Sequence, residues 1–169
     1  MKQKIKNSKA LEVINRGKKI SIMGIGNFDR ADDFAGIAVI EKIEKNSFSE
    51  NIQILNAGPV PEAFTGKIKE FIPNLLVIID AAEMNEKPGT IRVFTEKDID
   101  EAYMVTPHKV SMNMYMKYLR YFIEKIDAIF IGIQPASLSY SEPITEKVQE
   151  SIDYLSEVLI ELLQKVNGN

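Results

Sequence analysis

Three short stretches of this 169-residue chain hold side chains that together could grip a metal ion. Asp32 and Asp33 follow an apolar run that ends in Gly24-Ile-Gly26. Asp80 closes Leu75-Leu-Val-Ile-Ile. His108, the only histidine, stands in Thr106-Pro-His. Carboxylates with one neutral imidazole suit a borderline divalent ion such as nickel, zinc or manganese. Three protein ligands would leave positions open for water or substrate.

Each of these residues also has a plainer reading. Aspartate is a good N-cap, and acids at a helix start favour the helix dipole, so a cap accounts for one of the two neighbours but not both. A carboxylate at the end of five buried aliphatics needs a metal, a cation or amide donors. Amides in Ala81-Ala-Glu83 could supply the last. A lone histidine is usually structural or exposed; this one follows Pro107, which restricts Thr106, and precedes a helical stretch. A single histidine excludes a two-histidine metalloprotease motif, and there is no Gly-x-Ser-x-Gly elbow. Gly24-Ile-Gly26 begins a dinucleotide fingerprint, but Asp29 stands where the third glycine belongs. Asp29, Asp32 and Asp33 would repel a phosphate at that helix start.

Alternating elements must bring these groups together. Apolar runs at Ile20–Ile25, Ile52–Leu55, Leu75–Ile79 and Ala128–Ile133 read as strands, several with the continuous pattern of a sheet buried on both faces. Thr90–Phe94, after the Pro88-Gly89 turn, alternates as an edge strand does. Helical spacing appears at Phe34–Ile43, with Phe34, Ile37, Ile40 and Ile43 on one side, and at Pro61–Phe71, with Phe64, Ile68 and Phe71. A third helix is expected from Ser111 to Ile126, with Met112, Tyr115 or Met116, Leu119, Phe122 and Ile126 inward. The last starts near Pro143, with Val148, Ile152, Leu155, Leu159, Leu162 and Val166 inward. The expected fold is an α/β, three-layer α/β/α sandwich around a mainly parallel sheet with one antiparallel edge strand. Right-handed crossovers put the strand C-termini at one edge, where such sheets bind ligands. Asp32-Asp33, Asp80 and the Gln134-Pro135 loop fall there. Met112 and Tyr115, with other methionines and tyrosines around the third helix, could line a peptide groove, although core packing is the plainer role.

Length predicts a single domain over 1–169, preceded within it by a basic extension at 1–18. That extension reads as a solvated, frayed terminus with a short helix anchored by Leu11, Val13 and Ile14, rather than an anionic docking arm. The absence of cysteine excludes disulfides and thiolate chemistry. A formal net charge of −3 gives no general pull toward nucleic acid. No secretory h-region or membrane-spanning run is present, so a cytoplasmic protein with no membrane partner is expected.

In order, Gly24-Ile-Gly26-Asn27, Asp32-Asp33-Phe-Ala-Gly36, Asn56-Ala-Gly58 with Pro61-Glu62, Ile78-Ile-Asp80-Ala, Thr106-Pro-His108 and Gly132-Ile-Gln134-Pro135 resemble the hydrogenase maturation endopeptidases. The likeness is strongest to the branch serving hydrogenase-3-type enzymes and covers roughly 19–166. It implies a cytoplasmic protease that trims the C-terminal extension from a nickel-loaded [NiFe]-hydrogenase large-subunit precursor. It also implies that Asp33, Asp80 and His108 hold the nickel and carry the catalytic role. The nickel would arrive with the substrate, and another divalent ion could replace it in a purified sample. Asp32, Gln134, Met112 and Tyr115 are the candidates for a substrate groove. The family's first loop usually reads Gly-Asp-Asp-Gly; here Ala31 and Phe34 replace the glycines, Arg30 precedes them and Lys109 follows His108. Losing two glycines should stiffen the backbone beside Asp33. Because of that altered loop, a non-proteolytic chaperone that holds nickel or precursor is the alternative. A metal-dependent hydrolase of small substrates on the same fold is a third.

Overall fold

The computed structural model describes residues 5–98, 103–104 and 112–166. His108 and Ser111 lie outside the described residues. The strands are β1 (Ile5–Lys6), β2 (Ile20–Ile25), β3 (Ile52–Gly58), β4 (Leu75–Glu83), β5 (Ile91–Thr95), β6 (Tyr103–Met104) and β7 (Asp127–Ile133). The helices are α1 (Ala35–Ile43), α2 (Thr65–Phe71), α3 (Met112–Phe122) and α4 (Glu146–Val166). Short 3-10 turns at Ser8–Arg16, Ala31–Phe34 and Pro61–Phe64 precede β2, α1 and α2.

The sheet runs β1-β5-β7-β4-β2-β3, and β6 pairs separately with β4. β3, β2, β4 and β7 are parallel to their neighbours, whereas β5 is antiparallel to β7. β5 therefore has the expected direction but is not the edge. β1 pairs parallel to its outer side, and the Asn7 amide donates to the Val93 carbonyl at 3.0 Å. The basic extension is correspondingly not frayed over its described part: Leu11 and Ile14 are buried in the core.

Strand alternation divides that core in two. Ile20, Ile22, Leu75, Val77, Ile79, Ile129 and Ile131 pack under α1, α4 and the Ser8–Arg16 turn. Met23, Ile25, Leu76, Ile78 and Phe130 pack under α2 and α3. The sheet is thus covered on both faces, which is why its central strands read as unbroken aliphatic runs. Two helix registers differ from expectation. In α4, Leu163 rather than Leu162 is fully buried. After α3, Ile123 and Ile126 are buried, while Phe122 turns outward and meets Tyr118 and Tyr121 edge-on. The residue four after Leu119 is Ile123, so a helix that buries Leu119 also buries Ile123.

Among the described residues no helix is long and apolar enough to cross a membrane.

Candidate functional site

β2 and β4 lie side by side, Gly24 opposite Ile79. Both strands therefore run toward the same sheet edge, with Asp80 immediately after this register pair and β4 continuing past it to Glu83. Asp80 has the same parity as Leu76 and Ile78, which places it on the α2/α3 face, the side of the helix that follows His108. Its carboxylate is fully buried, and Oδ1 accepts the Ala81 amide at 2.8 Å.

The other acids come from the 3-10 turn between β2 and α1, which packs against the end of β4. Two glycines allow this approach. A Cβ on Gly36 would sit 2.3 Å from the carbonyl oxygens of both Ile25 and Ile79, so α1 can meet both strand ends only without a side chain there. Gly26 has φ 150°, and a Cβ there would lie 2.0 Å from the Asp33 carbonyl oxygen. That same carbonyl accepts the Asn27 amide at 3.2 Å, so the loop folds back on itself around Asp33. Ala31, where the resemblance leads to an expectation of glycine, has φ 38°. Phe34 has φ −75° and needs no glycine.

The two adjacent acids have different surroundings. Asp32 accepts hydrogen bonds from the amides of Ala136 (2.7 Å), Ser137 (3.0 Å) and Thr145 (2.7 Å) and from the Thr145 hydroxyl (2.9 Å). Its own amide donates to the Ser137 carbonyl at 3.1 Å. This corrects two expectations: Asp32 is not a helix cap, and it does not line a groove. It is a buried tie between the first loop and the β7–α4 connection. Asp33 is also buried, at 1% exposure. Its carboxylate faces the Arg30 guanidinium at 3.6 Å. The Arg30 guanidinium in turn lies 5.1 Å from the Tyr140 ring centre.

Gln134 is buried and fully engaged. Its Nε2 donates to both Glu83 carboxylate oxygens at 3.1 Å, and its Oε1 accepts the Met84 amide at 2.7 Å. It positions the end of β4 rather than lining a groove. Met112 is likewise a core residue, not a groove residue. Tyr115 borders a cleft of about 400 Å³ among the described residues, shared with Glu62, Thr65, Met114 and Tyr118. Its hydroxyl donates toward the Pro61 carbonyl at 3.4 Å. Burial pushes the Tyr115 phenol above its usual range, against the opposing bond from Thr65, so it stays a neutral donor at physiological pH. Sequence reasoning missed Arg30 as a contact to Asp33, although the two stand one turn apart, and missed Tyr140 as a contact to Arg30, since nothing local pairs residues that far apart along the chain.

The first loop and the end of β4 are thus brought together with two buried acids, Asp33 and Asp80. Among the described residues, no group of three acids or imidazoles is placed to hold a metal ion.

Comparison with known proteins gives this edge a context. A family model described as hydrogenase maturation protease matches residues 37–162, a span that holds Asp80 and His108 and begins just after Asp33. A Methanocaldococcus jannaschii protein, named provisionally as a hydrogenase maturation protease, is 36% identical over 92% of this chain and 95% of its own. The hydrogenase 3 maturation protease of Escherichia coli is 31% identical over 78% of this chain and 83% of its own. The crystal structure of a [NiFe] hydrogenase maturation protease, HycI, from Thermococcus kodakarensis superposes with a TM-score of 0.80 at 29% identity. It covers 91% of this chain and 98% of that one. With the family model spanning most of the chain and the same sheet and helices in the solved relative, the chain belongs to the hydrogenase maturation protease family.

Proposed function

We propose that this protein removes the C-terminal extension of a nickel-loaded [NiFe]-hydrogenase large-subunit precursor, holding the precursor's nickel with Asp33, Asp80 and His108. What supports this reading is that two buried acids stand on elements that pack together, the turn before α1 and β4, toward the C-terminal edge of the sheet in a chain of this protease family. Two carboxylates and an imidazole suit a borderline ion, and three donors leave room for ligands that the precursor already supplies. The nickel is cargo of the substrate. The protein's part is to grasp it, so that the scissile bond is presented beside the site and binding energy is spent on orientation. Family membership favours cleavage over the holding-chaperone alternative.

The test is mass spectrometry of a co-expressed large-subunit precursor. Loss of one C-terminal peptide is expected with the intact protein and nickel-loaded precursor, and none with nickel-free precursor. Asp33→Ala, Asp80→Ala and His108→Ala should each lower processing by at least ~100-fold while circular dichroism stays unchanged. Normal processing by the His108→Ala protein would remove His108 from the site. Equal cleavage of both precursors would remove nickel from the recognition.

A further inference from the structure

We infer that Arg30 is a built-in stand-in cation for Asp33, which the incoming metal must displace, and that it keeps free metal ions out of the site. The inference rests on the reading of Asp33 as a metal-holding residue. The Arg30 side chain is 22% exposed and its guanidinium lies 3.6 Å from the Asp33 carboxylate, where a positive charge offsets that of a buried acid. Its other face meets the Tyr140 ring at 5.1 Å, and Tyr140 itself is 68% exposed. The ring is held by a backbone link between the two loops, the Ser141 amide donating to the Asp29 carbonyl at 2.8 Å.

The grip is incomplete. Arg30 Nε is buried and finds no acceptor among the described residues, and 3.6 Å is long for a charge-assisted hydrogen bond. A guanidinium held by one long ion pair and one exposed ring is displaceable in a way that the four-donor cradle of Asp32 is not. A free divalent ion must drive out Arg30 using Asp33, Asp80 and His108 alone. An ion already seated in a precursor brings further contacts, so it can meet that cost. Released from Asp33, Arg30 stays tethered beside Tyr140 at the rim. The arrangement converts a site that would otherwise take up loose ions into one selective for metal delivered on a protein. Arg30 is in this sense a positioning and selectivity residue, not a catalytic one.

The experiment is calorimetric titration of the full chain with Ni²⁺ alone, for the wild type, Arg30→Gln, Arg30→Ala and Tyr140→Ala, with Asp33→Asn as reference. Arg30→Gln keeps length and polarity, so it guards against a folding defect in Arg30→Ala. The expected result is Ni²⁺ binding at least ~10-fold tighter in both Arg30 variants. A smaller gain is expected in Tyr140→Ala, and loss of binding in Asp33→Asn. A measurable Kd in Arg30→Gln where the wild type shows none supports the inference equally. A gain of affinity is something that simple loop damage does not produce. Equal affinity of wild type and Arg30→Gln, with Asp33→Asn still impaired, would overturn the role of Arg30 and leave the metal site standing. Absence of binding in every protein, the Arg30 variants included, would overturn the role of Arg30, whereas the nickel reading itself stands or falls with the nickel-loaded and nickel-free precursors.

Discussion

The loop after β2 and the end of β4 bring acids to the same edge of the sheet by opposite means. Asp80 continues a regular strand; its neighbours Ile79 and Ala81 are paired in register with Ile131 and Ile133 of β7. Its position follows from the strand and requires no special backbone. Asp32 and Asp33 sit in a tight turn with Ala31 at positive φ, set down on two strand ends through Gly36. There the position has to be made, and Asp32 helps to make it. The protein assigns one acid of the pair to holding the loop and leaves the other beside a displaceable cation. Irregular backbone at a site thus carries a structural requirement that a strand end does not.

The largest effect that separates the two acids is on stability. Asp32→Ala strips four donors of their acceptor and leaves three backbone amides without it in a part-buried setting. A loss of about 3 kcal/mol is expected from breaking several hydrogen bonds to a charged acceptor, partly offset where water reaches the freed donors. Asp33→Ala gives up, with its other contacts, a 3.6 Å ion pair to an arginine whose side chain is 22% exposed and can turn to water, and its cost should be smaller than that of Asp32→Ala, about 2 kcal/mol. Urea unfolding of the two variants, at constant m, measures both. Equal midpoints would dissolve the distinction between the acids.

Gly36→Ala tests whether the first loop depends on close backbone approach. The added methyl meets two carbonyl oxygens at 2.3 Å, neither of which is the end of a flexible side chain. Overpacking of this kind costs about 2 kcal/mol, and it should also weaken processing because the turn shifts relative to Asp80. Restored stability with processing still lost, in a suppressor elsewhere in α1, would sharpen the case that spacing and not folding is at stake. Unchanged stability and processing would show that α1 can back away from the strands.

How much of this was legible in the sequence follows the same division. The aliphatic runs of β2, β4 and β7 announce a doubly covered sheet, but Asp80 does not close its strand as expected: β4 continues through Ala81, Ala82 and Glu83, whose pairing with β7 and β6 no local pattern shows. The turn at Pro88-Gly89 announces β5 and its direction. β1 was not legible, because a two-residue strand carries no period and its partner lies more than eighty residues away. Phe122 misled because apolar character suggested burial, whereas the helical period assigns the inward place to Ile123. Asp32 misled because its acceptors' partners lie across the β7–α4 connection, beyond any local capping pattern. The role division between Asp32 and Asp33 is a tertiary property, and only their joint presence is a sequence property.

The smallest effect concerns Ala31. Its φ of 38° places an L-residue in the left-handed region, which costs roughly 1–2 kcal/mol. Glycine would relieve that strain, yet it would add about 0.5–1 kcal/mol of unfolded-state entropy to be lost on folding. Ala31 is also buried, at 2% exposure, so its methyl contributes about 0.8 kcal/mol that glycine forfeits. The terms nearly cancel, and Ala31→Gly is expected to leave stability unchanged to within ~0.5 kcal/mol by urea unfolding. What should change is the stiffness of the turn, read as faster hydrogen exchange at the Asp33 amide, which donates to the Arg30 carbonyl at 2.8 Å. A gain above ~1 kcal/mol would mean that the methyl is poorly packed and that alanine is tolerated here at a net loss. Unchanged exchange would mean that the Asp32 cradle, not the residue before it, sets the rigidity of the loop, and the contrast with the end of β4 would then rest on that carboxylate alone.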